Sequence, residues 1–361
     1  MKKLFILAGA LLLSLPAMAQ EIAAAPLVSV VMNGLDNPRG LAFGPEGALY
    51  VVEAGRGGTG PCRVQLGQTF CYGPSGAVRR LWKGKVEVVA SGLPSMARPL
   101  TNKNPGSRAQ GADGISFHGR GGMYVSIGWE DDPRKRSQLG EVGAQFGRLI
   151  RITPDGETET VADIGDYQAK VNLINPDTDP FNVRAEPNGQ LVVDSGANQL
   201  LRVRTNGEIS MVASFPSRKD GRSTDSVPTS VEQGPDGAYY VSELTGVPFT
   251  DGAANIYRFD EGETPQVFLS GFKTVIDIAF DSLGNLYVLE HSSGATGIAG
   301  LGKLKRVELH GCMVDANLCP RTTLLTGLNQ PTAIVVGPND EVYVSVRGIS
   351  AGIGEVWKVE P

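Results

Sequence analysis

Histidine is scarce in this sequence: His118, His291 and His310 are the only three in 361 residues. That excludes a histidine-rich metal site. Any Ser-His-Asp arrangement would have to use His291, and no G-x-S-x-G elbow leads into a helix. Cysteine is scarce too, and its four residues fall into two close pairs, Cys62 with Cys71 and Cys312 with Cys319. Neither pair has the CxxC-like spacing of a four-thiolate zinc site, so two local disulfides are expected. No basic block is present, which argues against nucleic acid or an anionic membrane as partner. No stretch after residue 20 is long and apolar enough to span a bilayer. No segment of useful length has helical periodicity. The Gly-rich GRGGTG (55–60) has no helix behind it and reads as a loop, not a phosphate cradle.

What is present begins at the N-terminus. MKK, then LFILAGALLLSLP, then AMA before Gln20 has the basic start, short apolar core and small-residue cleavage site of a secretory signal. Residues 1–19 are expected to be removed, leaving 20–361 as one periplasmic or secreted domain. No cysteine follows the cut, so no lipid anchor is expected there. Cleavage leaves 31 basic residues against 38 acidic.

The rest of the chain repeats. NPRGLAFGPEGALYVVE (37–53), GADGISFHGRGGMYVSI (111–127), DPFNVRAEPNGQLVVDS (179–195), VPTSVEQGPDGAYYVSE (227–243), TVIDIAFDSLGNLYVLE (274–290) and QPTAIVVGPNDEVYVSV (330–346) each read as two strands around a tight turn. A third strand follows each copy and a further strand precedes it. Equivalent positions Tyr50, Tyr124, Val192, Tyr240, Tyr287 and Tyr343 are 74, 68, 48, 47 and 56 residues apart. Four antiparallel strands repeated six times predict an all-β, six-bladed β-propeller of the NHL or gluconolactonase-like kind. The orphan strand near 27–34 is expected to close the ring on the last blade, and a monomer is expected.

Connections in such blades alternate between two faces. The turns on one face are short, apart from 310–320. Those on the other are long: 54–76, 94–110, 128–147, 166–178, 217–226 and 244–254. Long loops on a rigid scaffold carry function, which puts the working face there. Second strands end on that face in Glu53, Glu243 and Glu290, with Asp194 beside the third-blade position. Read singly, each acid caps loop amides. Read together, they repel unless a cation sits among them, and an oxygen-rich set suits calcium first among divalent cations. First strands begin on the same face and add a ligand rim of Arg39, Asp113, Asp179, Asn182, Thr229 and Asp277, with His291 just past Glu290. DDPRKR (131–136) reads as a solvated loop, and Trp129 as a packed loop residue.

NPRGLAFGPEGALYVVEAGRGG, CYGPSGAVRR, VPTSVEQGPDGAYYVSELTGVPF, GAANIYRF and GFKTVIDIAFDSLGNLYVLE together resemble the ScyD/ScyE family of exported propellers, named after the scytonemin cluster. The resemblance spans essentially the whole mature chain and is most distinctive at SELTGVPF. It implies the propeller fold and export, and leaves the biochemical activity undefined. Family members often carry His-Asp where this chain has Ala112-Asp113. The expected function is binding of a small molecule or a protein partner at the loop-rich face, with a divalent cation as a candidate cofactor. The alternatives are a metal-assisted hydrolase or lactonase and a protein-interaction scaffold. A quinone-dependent sugar dehydrogenase fits less well, since that site wants a histidine base and several arginines.

Overall fold

The structure is a computed structural model. It describes residues 26–360 apart from 120–121, 216, 220–222, 295–299 and 311–314, with backbone only at 218, 219 and 223. Six antiparallel sheets, each built on four strands, stand in a ring, which makes a six-bladed β-propeller. Blade 1 runs outward as Pro38–Phe43, Leu49–Glu53, Gln68–Trp82 and Lys85–Ala97. The innermost strands of blades 2 to 6 are Ala112–His118, Pro180–Glu186, Pro228–Gln233, Val275–Phe280 and Ala333–Val336. Leu27–Leu35 pairs with Gly354–Glu360 as the outer strand of blade 6, so the ring closes as the repeat predicts. A closed ring leaves no strand edge between first and last blades.

The strand sequences follow from this stacking. Second strands such as LYVVE, YYVSE and LYVLE are buried at every position, because a neighbouring blade covers each face. Outer strands begin exposed and become buried only toward the ring. The GPEG and GPDG turns repeat one geometry. Gly47 and Gly237 both take φ 82°, a left-handed conformation that glycine adopts without a Cβ clash.

Small hydroxyls staple one blade to the next across the inner strands. Ser126 donates to the Phe181 carbonyl at 3.2 Å, Ser195 to Pro228 at 2.5 Å, Thr229 to Val275 at 2.8 Å and Thr332 to Pro38 at 2.7 Å. Glycine lets the innermost strands approach. A Cβ on Gly40 would lie 2.6 Å from the Asp113 carbonyl oxygen, and one on Gly114 would lie 2.7 Å from the Asn182 Cα.

Three long connections are more ordered than the sequence suggests. Within 54–76, Cys62–Gln65 forms a hairpin with the start of the extended third strand, pinned by the Cys62–Cys71 disulfide. A 3-10 segment spans Pro133–Gln145 and an α-helix spans Ile164–Val171. Both start on an aspartate N-cap, Asp132 before Pro133 and Asp163. Too short for a periodic signal, they carried only capping signals in the sequence. The second expected disulfide involves Cys312, which lies outside the described residues. No helix among the described residues is long and apolar enough to cross a membrane.

Candidate functional site

The strand-end acids come first, because the sequence groups them as one cation site. The structure separates them. The Glu53 carboxylate accepts from the Asp36 amide at 2.6 Å and Arg79 Nε at 2.5 Å. Asp194 accepts from the Asp179 amide at 2.6 Å, Thr178 Oγ1 at 2.9 Å and Gln168 Nε2 at 3.0 Å. Glu243 accepts from Ser226 Oγ at 2.7 Å, the Asn255 amide at 2.9 Å and Tyr257 OH at 3.0 Å. Glu290 accepts from Lys305 Nζ at 2.7 Å and the Lys273 amide at 3.0 Å. Each carboxylate is spent inside its own blade, tying the lead-in of the first strand to strands behind it. The geometry therefore offers no shared cluster of these four acids for the expected calcium ion. Among the described residues no group of three or more His, Cys, Asp or Glu side chains is placed to hold one metal ion.

The rim residues divide by depth. Arg39 and His291 reach a cleft of about 580 Å³ at the loop-face mouth of the ring. Thr229 does not, since its hydroxyl is buried on Ser242 and the Val275 carbonyl. Asp113, Asn182 and Asp277 line a throat of about 10 Å³ on the axis below the mouth, room for about one water. Asp113 bonds Arg39 Nε at 3.0 Å. Asp179 accepts from the Trp129 amide at 3.1 Å. A Cβ on Gly128 would lie 2.5 Å from both Asp113 Oδ2 and Asp179 Oδ1, so the two acids crowd one glycine. Burial pushes the Asp113 carboxyl up to about 7, with Arg39 pulling the other way and Glu130 adding to the rise. Burial also raises Asp179 well above the carboxylate range, reinforced by Glu130 and Asp113.

The mouth contains residues that the repeat gave no reason to select. Glu130 and Arg108 both sit at positive φ, 56° and 55°, in loops outside the repeated pattern. Glu130 Oε2 accepts from Gln110 Nε2 at 2.9 Å. Desolvation in the mouth raises its carboxyl above the usual value, with Arg39, the Gln110 hydrogen bond, Arg63 and Arg108 pulling the other way. Arg108 forms no ion pair among the described residues. Leu66 and Phe70, from the disulfide-pinned hairpin, and Ile349 form an apolar wall. The sole signal for that wall was the cysteine pair that fixes the hairpin. Trp129 is fully buried, packed under the Arg63 guanidinium 3.8 Å from its ring centroid, as expected of a packed loop residue. DDPRKR is less solvated than expected, since Arg136 is buried on Asp163 at 2.9 Å and on the Phe146 carbonyl at 2.8 Å.

His291 occupies the position that Ser195 holds two blades earlier, and it makes the same kind of staple. Its Nδ1 lies 2.8 Å from the Pro331 carbonyl oxygen. A carbonyl only accepts, so Nδ1 carries the proton and Nε2 keeps its lone pair. Burial lowers the ring's pKa against the pull of that carbonyl, and Arg39 lowers it further. The imidazole is therefore neutral at ordinary pH.

No protein-family model matches the chain, and no curated protein matches it. Solved structures do. One is an oxidoreductase assigned as a glucose dehydrogenase from Thermus thermophilus, 16% identical, covering 92% of this chain and 99% of its own, with a TM-score of 0.56. Another is a gluconolactonase from Xanthomonas campestris, 11% identical, covering 93% and 89%, with a TM-score of 0.53. A third is the virginiamycin B lyase of Staphylococcus aureus crystallised with quinupristin, 14% identical, covering 93% and 99%, with a TM-score of 0.51. At these identities the likeness is one of fold, and the fold they share with this chain is the gluconolactonase-like β-propeller.

Proposed function

We propose that the chain is an exported propeller of the ScyD/ScyE type that binds a small organic molecule in the loop-face cleft, where His291 acts as a proton acceptor. The observation that carries this reading is the cleft wall. One neutral imidazole, an arginine with no ion pair among the described residues and an apolar side meet in a cavity of about 580 Å³, with Glu130 on the same wall. That volume lies within the range of small-molecule sites. Arg108 suits a carboxylate or carbonyl oxygen, while Leu66, Phe70 and Ile349 suit a ring or short chain. Export is supported by the MKK…AMA segment and by the Cys62–Cys71 bond, which persists in oxidising compartments.

The His291 tautomer favours a second, hydrolytic reading of the same site. Nε2 would take a proton from a water attacking a lactone or ester carbonyl, with Arg108 facing the oxygen that gains charge. No step is assigned to a cation, because the acids expected to hold it are engaged elsewhere.

The test is calorimetric titration of the mature, oxidised protein with aryl carboxylates, γ-lactones and phenyl esters, alongside turnover of the last two. Arg108→Ala should weaken binding about tenfold. His291→Asn keeps a donor for the Pro331 carbonyl and removes Nε2, so it should abolish turnover at unchanged stability. Binding that ignores both variants would move the site elsewhere. An absence of binding across the panel would overturn the reading in favour of a protein partner.

A further inference from the structure

Below the throat the axial channel opens again, toward the face of short turns. This chamber has a volume of about 250 Å³. It is roughly eight water volumes at about 30 Å³ each. Its shape follows from the inner strands, in which alternate residues face the axis. On blades 1, 2, 5 and 6 the lining residues include Gly40, Ala42, Ser116, Ala279 and Val335, which are small or apolar. On blades 3, 4 and 5 they include Asn182, Arg184, Glu232 and Asp277. The chamber is thus smooth on one side and polar on the other.

The polar side is unbalanced in charge. Arg184 is its one cation, bonded to Glu232 at 2.8 Å and shared with Glu186 at 3.3 Å. Asp277 has no cationic partner in the chamber. Its oxygens accept from the Ile278 and Ile334 amides, both at 2.9 Å. Beside it, on the neighbouring inner strand, the Ser230 hydroxyl is 1% exposed and faces the Asp277 carboxylate, which it helps to hold. A carboxylate has about four lone-pair sites, so acceptor capacity remains on Asp277.

We propose that this chamber is a second binding site, separate from the loop-face cleft, and that it takes a small primary ammonium compound. The ammonium group supplies donors for the open acceptor positions of Asp277 and for the Asn182 side-chain oxygen, both on the chamber wall. A short alkyl chain lies along the Gly40, Ala42 and Ala279 side. A narrow throat keeps this ligand apart from the one at the mouth. Burial pushes the Asp277 carboxyl up to about 7, with the Ser230 hydroxyl and the Ile334 amide pulling the other way and the charge of Glu232 adding to the rise. The other charged groups on this channel are Arg39 and Asp113 in the throat and Arg184 beside Glu232. An ammonium ion favours ionised Asp277, so affinity rises with pH as that carboxyl loses its proton.

The probe is n-butylammonium, titrated into the mature protein at pH 5.5 and pH 8, with butyrate and butanol as anionic and neutral controls. The amine stays protonated at both values, as a lysine side chain would. Saturable binding of the amine alone, at least tenfold tighter at pH 8, is expected. Asp277→Asn should weaken it at least tenfold and Ser230→Ala by a few-fold. Ala42→Leu fills the smooth side without touching a hydrogen bond and should block it, which keeps the test decisive if Asp277→Asn fails to fold. His291→Asn should leave it unchanged, which separates this site from the one at the mouth. Equal binding of butyrate, binding that survives Ala42→Leu, or no saturable binding of the amine would each overturn the proposal.

Discussion

Two sets of carboxylates in this molecule are chemically alike and differ in what surrounds them. Glu53, Asp194, Glu243 and Glu290 stand at the ends of second strands, spread around the ring. Asp113, Asp179 and Asp277 stand close to the axis. The first set is tied to its own strands and their lead-ins. Glu243 accepts from a hydroxyl, an amide and a phenol, and Glu290 from an amide and a lysine. Burial raises the carboxyls of the second set, and like-charged neighbours add to the rise. Burial raises Glu53 and Asp194 as well, so what separates a structural acid from one free to meet a ligand is where it stands, tied among its own blade's strands and loops or facing the axis.

The sharpest way to break this comparison is to remove one of the tied acids. Glu243→Ala should strand three buried donors and cost roughly 3 kcal/mol or more. In a ring of this size the thermal midpoint would fall by about 4 °C or more. Loss of ligand binding at an unchanged midpoint would make Glu243 a site residue and overturn its role as a strut. Next in size is Cys71→Ser, which opens the loop closed by the Cys62–Cys71 bond across a separation of 9 residues. The expected loss is about 2–3 kcal/mol. It should be accompanied by weaker binding at the mouth, because Leu66 and Phe70 lie on the freed hairpin. Unfolding in the variant and in the reduced wild type should agree.

A smaller effect sharpens the axial half of the comparison. Asp277 has a folded-state pKa near 7, above its unfolded value of about 3.9. A raised carboxyl contributes stability that is complete below the unfolded pKa and is lost as pH rises through the folded one. The wild-type midpoint should therefore fall between pH 5 and pH 8. Asp277→Asn should flatten part of that fall, and Asp113, also raised to about 7, should keep the rest. A slope identical in both proteins would show that Asp277 is ionised throughout. The smallest effect expected is on stability in Arg108→Ala, within about 0.5 kcal/mol, because no ion pair is lost. A large drop would show that Arg108 holds the mouth together.

The repeated hairpins made the fold legible, because each blade buries both faces of its second strand and must therefore spell a short apolar run between turns. Tyr50, Tyr240 and Tyr287 mark that run in three blades. Ring closure was legible for the same reason, since Leu27–Leu35 has no partner unless it pairs with Gly354–Glu360. The site was legible only in part. Arg39 and His291 could be placed at the mouth because they sit at fixed points of the repeat. Glu130, Arg108 and Phe70 lie in connections that no repeat governs, and their arrival at one cleft depends on how those loops fold. Depth was also hidden. Asn182 and Asp277 lie one residue further along their strands than Asp113 does on its own, and that step turns a rim position into a throat and chamber position.

By itself, then, the sequence determined six blades, their inner hairpins and the face that carries the long loops. Those features rest on period-two burial and turn chemistry, which act over a few residues. The tertiary structure decided which acids are struts, which face the axis, and that the channel is pinched into two cavities. These depend on hydrogen-bond partners and on glycine-permitted strand approaches contributed by different blades. No local pattern records a contact between residues that the chain brings together only when the ring closes.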